Sequence, residues 1–267
     1  MNEKQESARG ILGFNFCNVS GSVQASVEMS SGVMMQTLIG FDSAWTDKKS
    51  APGAICALAM YPDRSIVFHP PRLATFDDAL AFIDTVRSPT GATLVALDQP
   101  TIVQNQTSMR PVERGAASLV SWMGGDVQPS NRGKVGMFCD ASPIWSFLTR
   151  LGATEMPFVS REATSGLHLI EVFPALALAA LEPSFFNRLG APHYNPVRRK
   201  TFRIEDWRKV AETSVRHFRA FGVDEAAICA PMKSCAIGQA KQTKTDWIRC
   251  FACLSPCTGD LVRQSHP

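Results

Sequence analysis

The chain has 267 residues, 45% of them hydrophobic, and 27 Lys and Arg against 24 Asp and Glu, a net charge of +3. That length and apolar share exclude disorder throughout and allow one large core or two small ones. So small a charge does not by itself imply nucleic-acid binding. No apolar run is long enough to span a bilayer, so no membrane partner is expected. Eight cysteines scattered through a long chain point to reduced thiols and a cytoplasmic protein rather than a disulfide scaffold.

Residues 1–33 are rich in Ser, Gly, Asn and Val without periodicity and are expected to form a disordered extension, with Met34 or Met35 as an alternative start. A single domain is expected over 34–254, followed by a disordered tail over 255–267. Thr37-Leu38-Ile39-Gly40-Phe41 is a short apolar run of the buried-strand kind, closed by Asp42. Gly53–Met60 is a second run. Pro62-Asp63-Arg64 then turns the chain into a third, Ser65-Ile66-Val67-Phe68-His69. Short turns between three strands predict an antiparallel meander. Thr75 offers an N-cap to a helix running to about Arg87, with Asp77 and Asp78 in its first turn. Thr93-Leu94-Val95-Ala96-Leu97 is a fourth strand, closed by Asp98; the helix before it can serve as a crossover, which makes this strand parallel to the first. Residues 99–165 read as an insertion with mobile loops and helical patches near 113–123 and 143–151. His168-Leu169-Ile170-Glu171-Val172-Phe173 is a fifth strand, and Pro174 opens a helix to Leu181. Further helices are expected at 205–221, 224–230 and 243–254.

Three acids fall at the ends of apolar strands: Asp42, Asp98 and Glu171. A lone Asp after a strand is commonly a turn cap. Parallel strands, however, present their carboxyl ends to one crevice, where converging carboxylates repel unless a cation neutralises them. Mg²⁺ suits such oxygen ligands and keeps water positions open.

The segments Gly40-Phe41-Asp42-Ser43-Ala44-Trp45, Ala96-Leu97-Asp98-Gln99-Pro100, Met109-Arg110-Pro111-Val112-Glu113-Arg114, Glu171-Val172-Phe173-Pro174-Ala175-Leu176 and the stretch from Tyr194 to Lys200, in that order, resemble the domain-of-unknown-function 429 family, whose members are regarded as predicted RNase H-like nucleases. The resemblance covers roughly residues 36–254. It implies an α/β, ribonuclease H-like mixed sheet with helices on both faces and an insertion after the fourth strand. It implies metal-dependent hydrolysis of nucleic-acid phosphodiester bonds with Mg²⁺ or Mn²⁺. Carried over by motif, Asp42, Asp98, Glu171 and Asp246 are the catalytic acids, with Asp42, Asp98 and Asp246 holding metal. Arg110 and Glu113 match a polar pair after the loop, and Arg110 is expected to orient phosphate. Phe173 stands where the family's motif has Tyr.

The carboxyl-terminal region departs from the family pattern. The family's last helix carries Asp-x-x-Asp; here Asp246 is followed by Arg249, and a guanidinium repels a cation. The alternative reading is therefore a catalytically impaired RNase H-like protein that binds nucleic acid or a protein partner. An actin-like phosphotransferase lacks the Gly-rich phosphate loop it needs. Cys250-x-x-Cys253 is a single unit where zinc sites pair two, so packing is the better reading. Residues 188–219 hold nine Lys and Arg against three Asp and Glu, densest at Arg198-Arg199-Lys200 and interleaved with Tyr194, Phe202 and Trp207. This composition suits phosphate contacts and base stacking, and equally a solvated helix face. No feature of the sequence sets an oligomeric state.

Overall fold

The computed structural model describes residues 36–195, 198–224 and 228. The expected N-terminal extension, the tail, Asp246 and Arg249, the cysteines after Cys139, and the helix at 243–254 lie outside the described residues, as does most of the one at 224–230. Five strands are present: β1 (Gln36–Asp42), β2 (Gly53–Met60), β3 (Ile66–Ala74), β4 (Ala92–Leu97) and β5 (Gly166–Glu171). They form one open mixed sheet in the order β3-β2-β1-β4-β5. The β1-β2-β3 meander is antiparallel, whereas β4 is parallel to β1 and β5 to β4. Both sequence expectations for strand direction, the meander and the parallel return after the first helix, agree with these pairings.

Helix α1 (Phe76–Val86) makes that return. Thr75 and Asp78 close a reciprocal capping box at its start, each side chain accepting from the other's backbone N–H. Asp47 Oδ1 accepts from Phe76 N–H at 2.7 Å, so the loop after β1 also caps this helix. α2 (Pro111–Trp122) and α3 (Pro143–Leu151) follow in the insertion. α3 ends where Gly152 turns left-handed at φ 59° and donates to Leu148 C=O. Next come α4 (Pro157–Glu162), α5 (Pro174–Leu181), a short 3-10 turn (Pro183–Phe185) and α6 (Ile204–Ala220).

Strand pleating sorts the apolar side chains into two layers. Ile39, Phe41, Val95, Leu97 and Leu169 pack against α1 and α3, where the Phe76 and Phe147 rings stack at 4.7 Å. Leu38, Cys56, Leu58 and Ala96 face the other way, towards Phe218 of α6 and Val223. Helices thus cover both faces, and β1 sits at the centre, buried along nearly its whole length.

Three details differ from the sequence expectation. β3 continues to Ala74 through Pro70-Pro71, although Pro has no N–H to donate. Proline is tolerated because β3 is an edge strand. A bulge also sets Pro70 and Pro71 opposite the single Cys56, between the pairs Ala57↔His69 and Ile55↔Arg72. β5 begins earlier than expected and ends at Glu171, although Val172 N–H still bonds Leu97 C=O at 2.9 Å. The insertion contains α4, a helix with no apolar periodicity to announce it: Phe158 is 91% exposed.

The start of β2 passes directly over the end of β1. A Cβ on Gly53 would lie 2.1 Å from the Asp42 carbonyl oxygen and 2.8 Å from Ser43 Cα, both backbone atoms that cannot step aside. Gly53→Ala should therefore lower the unfolding free energy by about 2–3 kcal/mol in urea denaturation. A loss below about 0.5 kcal/mol would show that the two strand ends are not in close approach.

Candidate functional site

The parallel register decides what meets at the carboxyl ends of β1, β4 and β5. Phe41 pairs with Leu97 and Leu97 with Glu171. One step on, Asp98 N–H donates to Phe41 C=O at 2.8 Å. Asp42 and Asp98 therefore leave adjacent strands at the same level and on the side of the sheet that α6 covers. Glu171, level with Leu97, takes the opposite side by the alternation of the pleat. The constellation grouped from the sequence as Asp42, Asp98 and Glu171 is thus divided, with two acids on one side and one on the other.

Asp42 is 2% exposed, and its Oδ1 accepts from Ala44 N–H at 3.2 Å. Ala44, Trp45 and Asp47 all have positive φ, 54°, 65° and 51°, which non-glycine residues seldom adopt. Side-chain bonds hold this turn. Trp45 Nε1–H donates to Asp98 C=O at 2.8 Å, Gln99 Nε2–H to Trp45 C=O at 3.3 Å, and Ser43 Oγ–H to Gln99 Oε1. The Trp45 ring meets Phe138 edge-on at 5.5 Å, so the insertion closes over the turn. The loops after β1 and β4 consequently behave as one cross-tied unit with an Asp at the head of each.

Glu171 belongs to a second unit. Arg110 grips it through both terminal nitrogens, with Nη1 2.8 Å from Oε2 and Nη2 on Oε1. The same guanidinium donates to Ile102 C=O at 3.1 Å and, through Nε, to Glu113 Oε1 at 2.8 Å. Glu113 also accepts from the backbone N–H groups of Arg110 and Ser130. Burial opposes ionisation of Glu113, but these hydrogen bonds outweigh it and hold its carboxyl below the usual range. Arg110 and Glu113, matched by motif to the resembled family's polar pair, form an ion pair here. The phosphate-orienting task expected of Arg110 does not match its position, because the guanidinium is buried and directed at two carboxylates and a carbonyl.

Glu155 and Thr101 join this second unit and carried no sequence signal. Thr101 N–H donates to Glu171 Oε2 at 3.2 Å, and Thr101 Oγ–H donates to Glu155 Oε1. Burial first, then the neighbouring Glu171 charge, pushes the Glu155 carboxyl above its ordinary value, against the Thr101 hydrogen bond. Arg198, Arg199 and Lys200 lie exposed in a turn before α6, where Thr201 and Phe202 N–H close on Arg198 C=O. Of the histidines, His217 Nε2 bonds Leu181 C=O at 3.1 Å and His168 lies between Ser160 Oγ and Ser165 C=O, both structural positions.

Among the described residues no group of three or more His, Cys, Asp or Glu is placed to hold a metal ion, and no helix is long and apolar enough to cross a membrane. Compared with known protein families, curated proteins and solved structures, the chain matches none of them.

Two outcomes follow from this electrostatic arrangement. Arg110→Met leaves the buried Glu113 and the partly exposed Glu171 without their cation and should cost about 3–5 kcal/mol in chemical denaturation; a loss under about 1 kcal/mol would contradict the clamp. Glu155 has a folded-state pKa above its unfolded value, so its contribution is favourable at low pH and is lost as pH rises through the folded value. Glu155→Gln should therefore equal or exceed the parent in stability at neutral pH. The difference between the two should shrink or reverse below the ordinary glutamate range, as read from melting temperature against pH.

Proposed function

We propose that this protein is a metal-dependent nuclease of ribonuclease H-like architecture, hydrolysing nucleic-acid phosphodiester bonds at the Asp42–Asp98 crevice. The observation that carries the reading is the delivery of two aspartates, one of them buried, side by side at the carboxyl ends of the two central parallel strands. The order β3-β2-β1-β4-β5, with only β2 antiparallel to β1 and with helices on both faces, supports the fold that the family resemblance implies.

The donor set fits a hard divalent cation. Mg²⁺ and Mn²⁺ take carboxylate oxygens and retain several waters, and two carboxylates are a common protein contribution. Asp42 and Asp98 would hold the ion, with Asp246 as a further ligand. Bound there, the cation supplies an activated water and charge stabilisation for the departing oxygen. The chain's own part is positioning. The Ser43–Gln99–Trp45 bonds tie together the two loops that carry Asp42 and Asp98, which would spare reorganisation during the reaction. Arg198, Arg199 and Lys200 are exposed cations suited to backbone phosphates. Arg110, buried in its clamp, keeps Glu171 out of the metal set.

The second reading, a chain that binds nucleic acid without cleaving it, is favoured by the presence of only two carboxylates at the crevice among the described residues. One assay separates the two. Labelled single-stranded and duplex RNA and DNA are incubated with the chain and Mg²⁺ or Mn²⁺, beside the Asp42→Asn variant. The nuclease reading predicts metal-dependent cleavage that falls at least about a hundredfold in the variant, as loss of a catalytic electrostatic group does. Cleavage that survives Asp42→Asn sinks it, and binding without cleavage selects the second reading.

A further inference from the structure

Glu155 is a half-buried carboxylate that accepts from the Thr101 hydroxyl rather than from a cation. Arg110 is spent on Glu113 and Glu171, and reaches Glu155 only at a distance. The segment carrying Glu155 lies along the outer edge of β5. Thr154 bridges to His168, through Thr154 N–H on Leu167 C=O and Leu169 N–H on Thr154 C=O, each 2.9 Å. That anchoring aims Glu155 at Thr101, which is 5% exposed and has both of its donors taken, the amide by Glu171 and the hydroxyl by Glu155.

Thr101 follows Asp98 by three residues, and nothing between them is slack. Gln99 is fully buried and tied to Ser43 and Trp45, and Pro100 has its φ locked by its ring. The Asp98 loop is therefore held at two points, at Gln99 by the β1 turn and at Thr101 by the two glutamates. We propose that Glu155 is a positioning residue for Asp98: its grip on the Thr101 hydroxyl fixes the far end of the loop and so sets the distance at which the Asp98 carboxylate faces Asp42. The proposal rests on the cation-site reading above for its functional consequence, but not for its geometry. A carboxylate at this place is costly, being half-buried beside Glu171, and a neutral amide would accept the same bond. What the charged group adds is a stronger acceptor, since hydrogen bonds to ionised groups are about twice as strong as neutral ones.

The test uses the full-length chain and five variants: Glu155→Ala, which removes the acceptor; Glu155→Gln, which keeps a weaker one; Thr101→Val, which removes the donor; the Glu155→Ala/Thr101→Val double variant; and Asp42→Asn. Amide hydrogen exchange is read residue by residue. Glu155→Ala should speed exchange at Asp98, Gln99 and Thr101 roughly tenfold, with the β2–β3 amides unmoved, as loss of one charge-assisted bond predicts. Thr101→Val should match it, Glu155→Gln should fall between the alanine variant and the parent, and the Glu155→Ala/Thr101→Val double variant should go no further than either single one. Unchanged rates, or a uniform rise across the sheet, overturn the proposal. Mn²⁺ affinity by calorimetry is the second reading. It should weaken roughly tenfold in Glu155→Ala and largely recover in Glu155→Gln. If Asp42→Asn abolishes Mn²⁺ binding while Glu155→Ala leaves it unchanged, the proposal fails. If the parent binds no Mn²⁺, or Asp42→Asn binds it equally well, the cation-site reading fails instead, and the exchange rates alone decide whether Glu155 positions the loop.

Discussion

Parallel pairing of β1 with β4 is the constraint on which the rest of the molecule is arranged. It sets Phe41 beside Leu97, and its last hydrogen bond, Asp98 N–H to Phe41 C=O, lies just past the end of β4. Because β1 is central and buried on both faces, a register slip of one residue would turn Leu38, Ile39 and Phe41 out of their layers. The core therefore fixes the register, and the register fixes which side chains emerge at the strand ends. Asp42 is placed by the same packing that makes the protein fold. Gly53 adds the second half of the constraint, since only the absence of a side chain lets β2 start against the Asp42 backbone.

Charge is then divided between two units on the two sides of the sheet. On one side Asp42 and Asp98 stand in a turn cross-tied by Ser43, Trp45 and Gln99. On the other, Arg110 gathers Glu113 and Glu171, and Glu155 joins through Thr101. A buried ion pair contributes little net stability against an apolar replacement, yet breaking one is expensive. Its value here is specific: it joins the start of α2 to the end of β5 and fixes the loop 99–110 that runs between the two units. The positive φ values at Ala44, Trp45 and Asp47 carry strain in the same turn, and surrounding bonds over-determine it.

Much of this was readable from the sequence, for physical reasons. Apolar runs bounded by turn residues announced β1, β2 and β4, and Thr75 with Asp78 announced α1, because caps and periodicity are local properties. Arg110 and Glu113 were named by the family motif alone, and the structure joins them in an ion pair. Long-range features were not readable. β3 looked complete at His69 because Pro70-Pro71 ends a strand unless an edge and a bulge accommodate it. α4 was invisible because its apolar residues face solvent. Glu171 was grouped with Asp42 and Asp98 because strand order was legible and pleat side was not; the side depends on a register that only packing sets. Glu155 lay in a stretch with no pattern at all, and its partner Thr101 is 54 residues away.

The central claim is that Asp42 and Asp98 together form a divalent-cation site. Its most direct measurement is anomalous diffraction from crystals of the full chain soaked in Mn²⁺, recorded near the manganese edge. The account predicts a peak beside the Asp42 and Asp98 carboxylates that disappears in Asp42→Asn. A saturating soak that leaves this crevice without a peak, or that puts manganese on the Glu155–Glu171 side of the sheet instead, would contradict it.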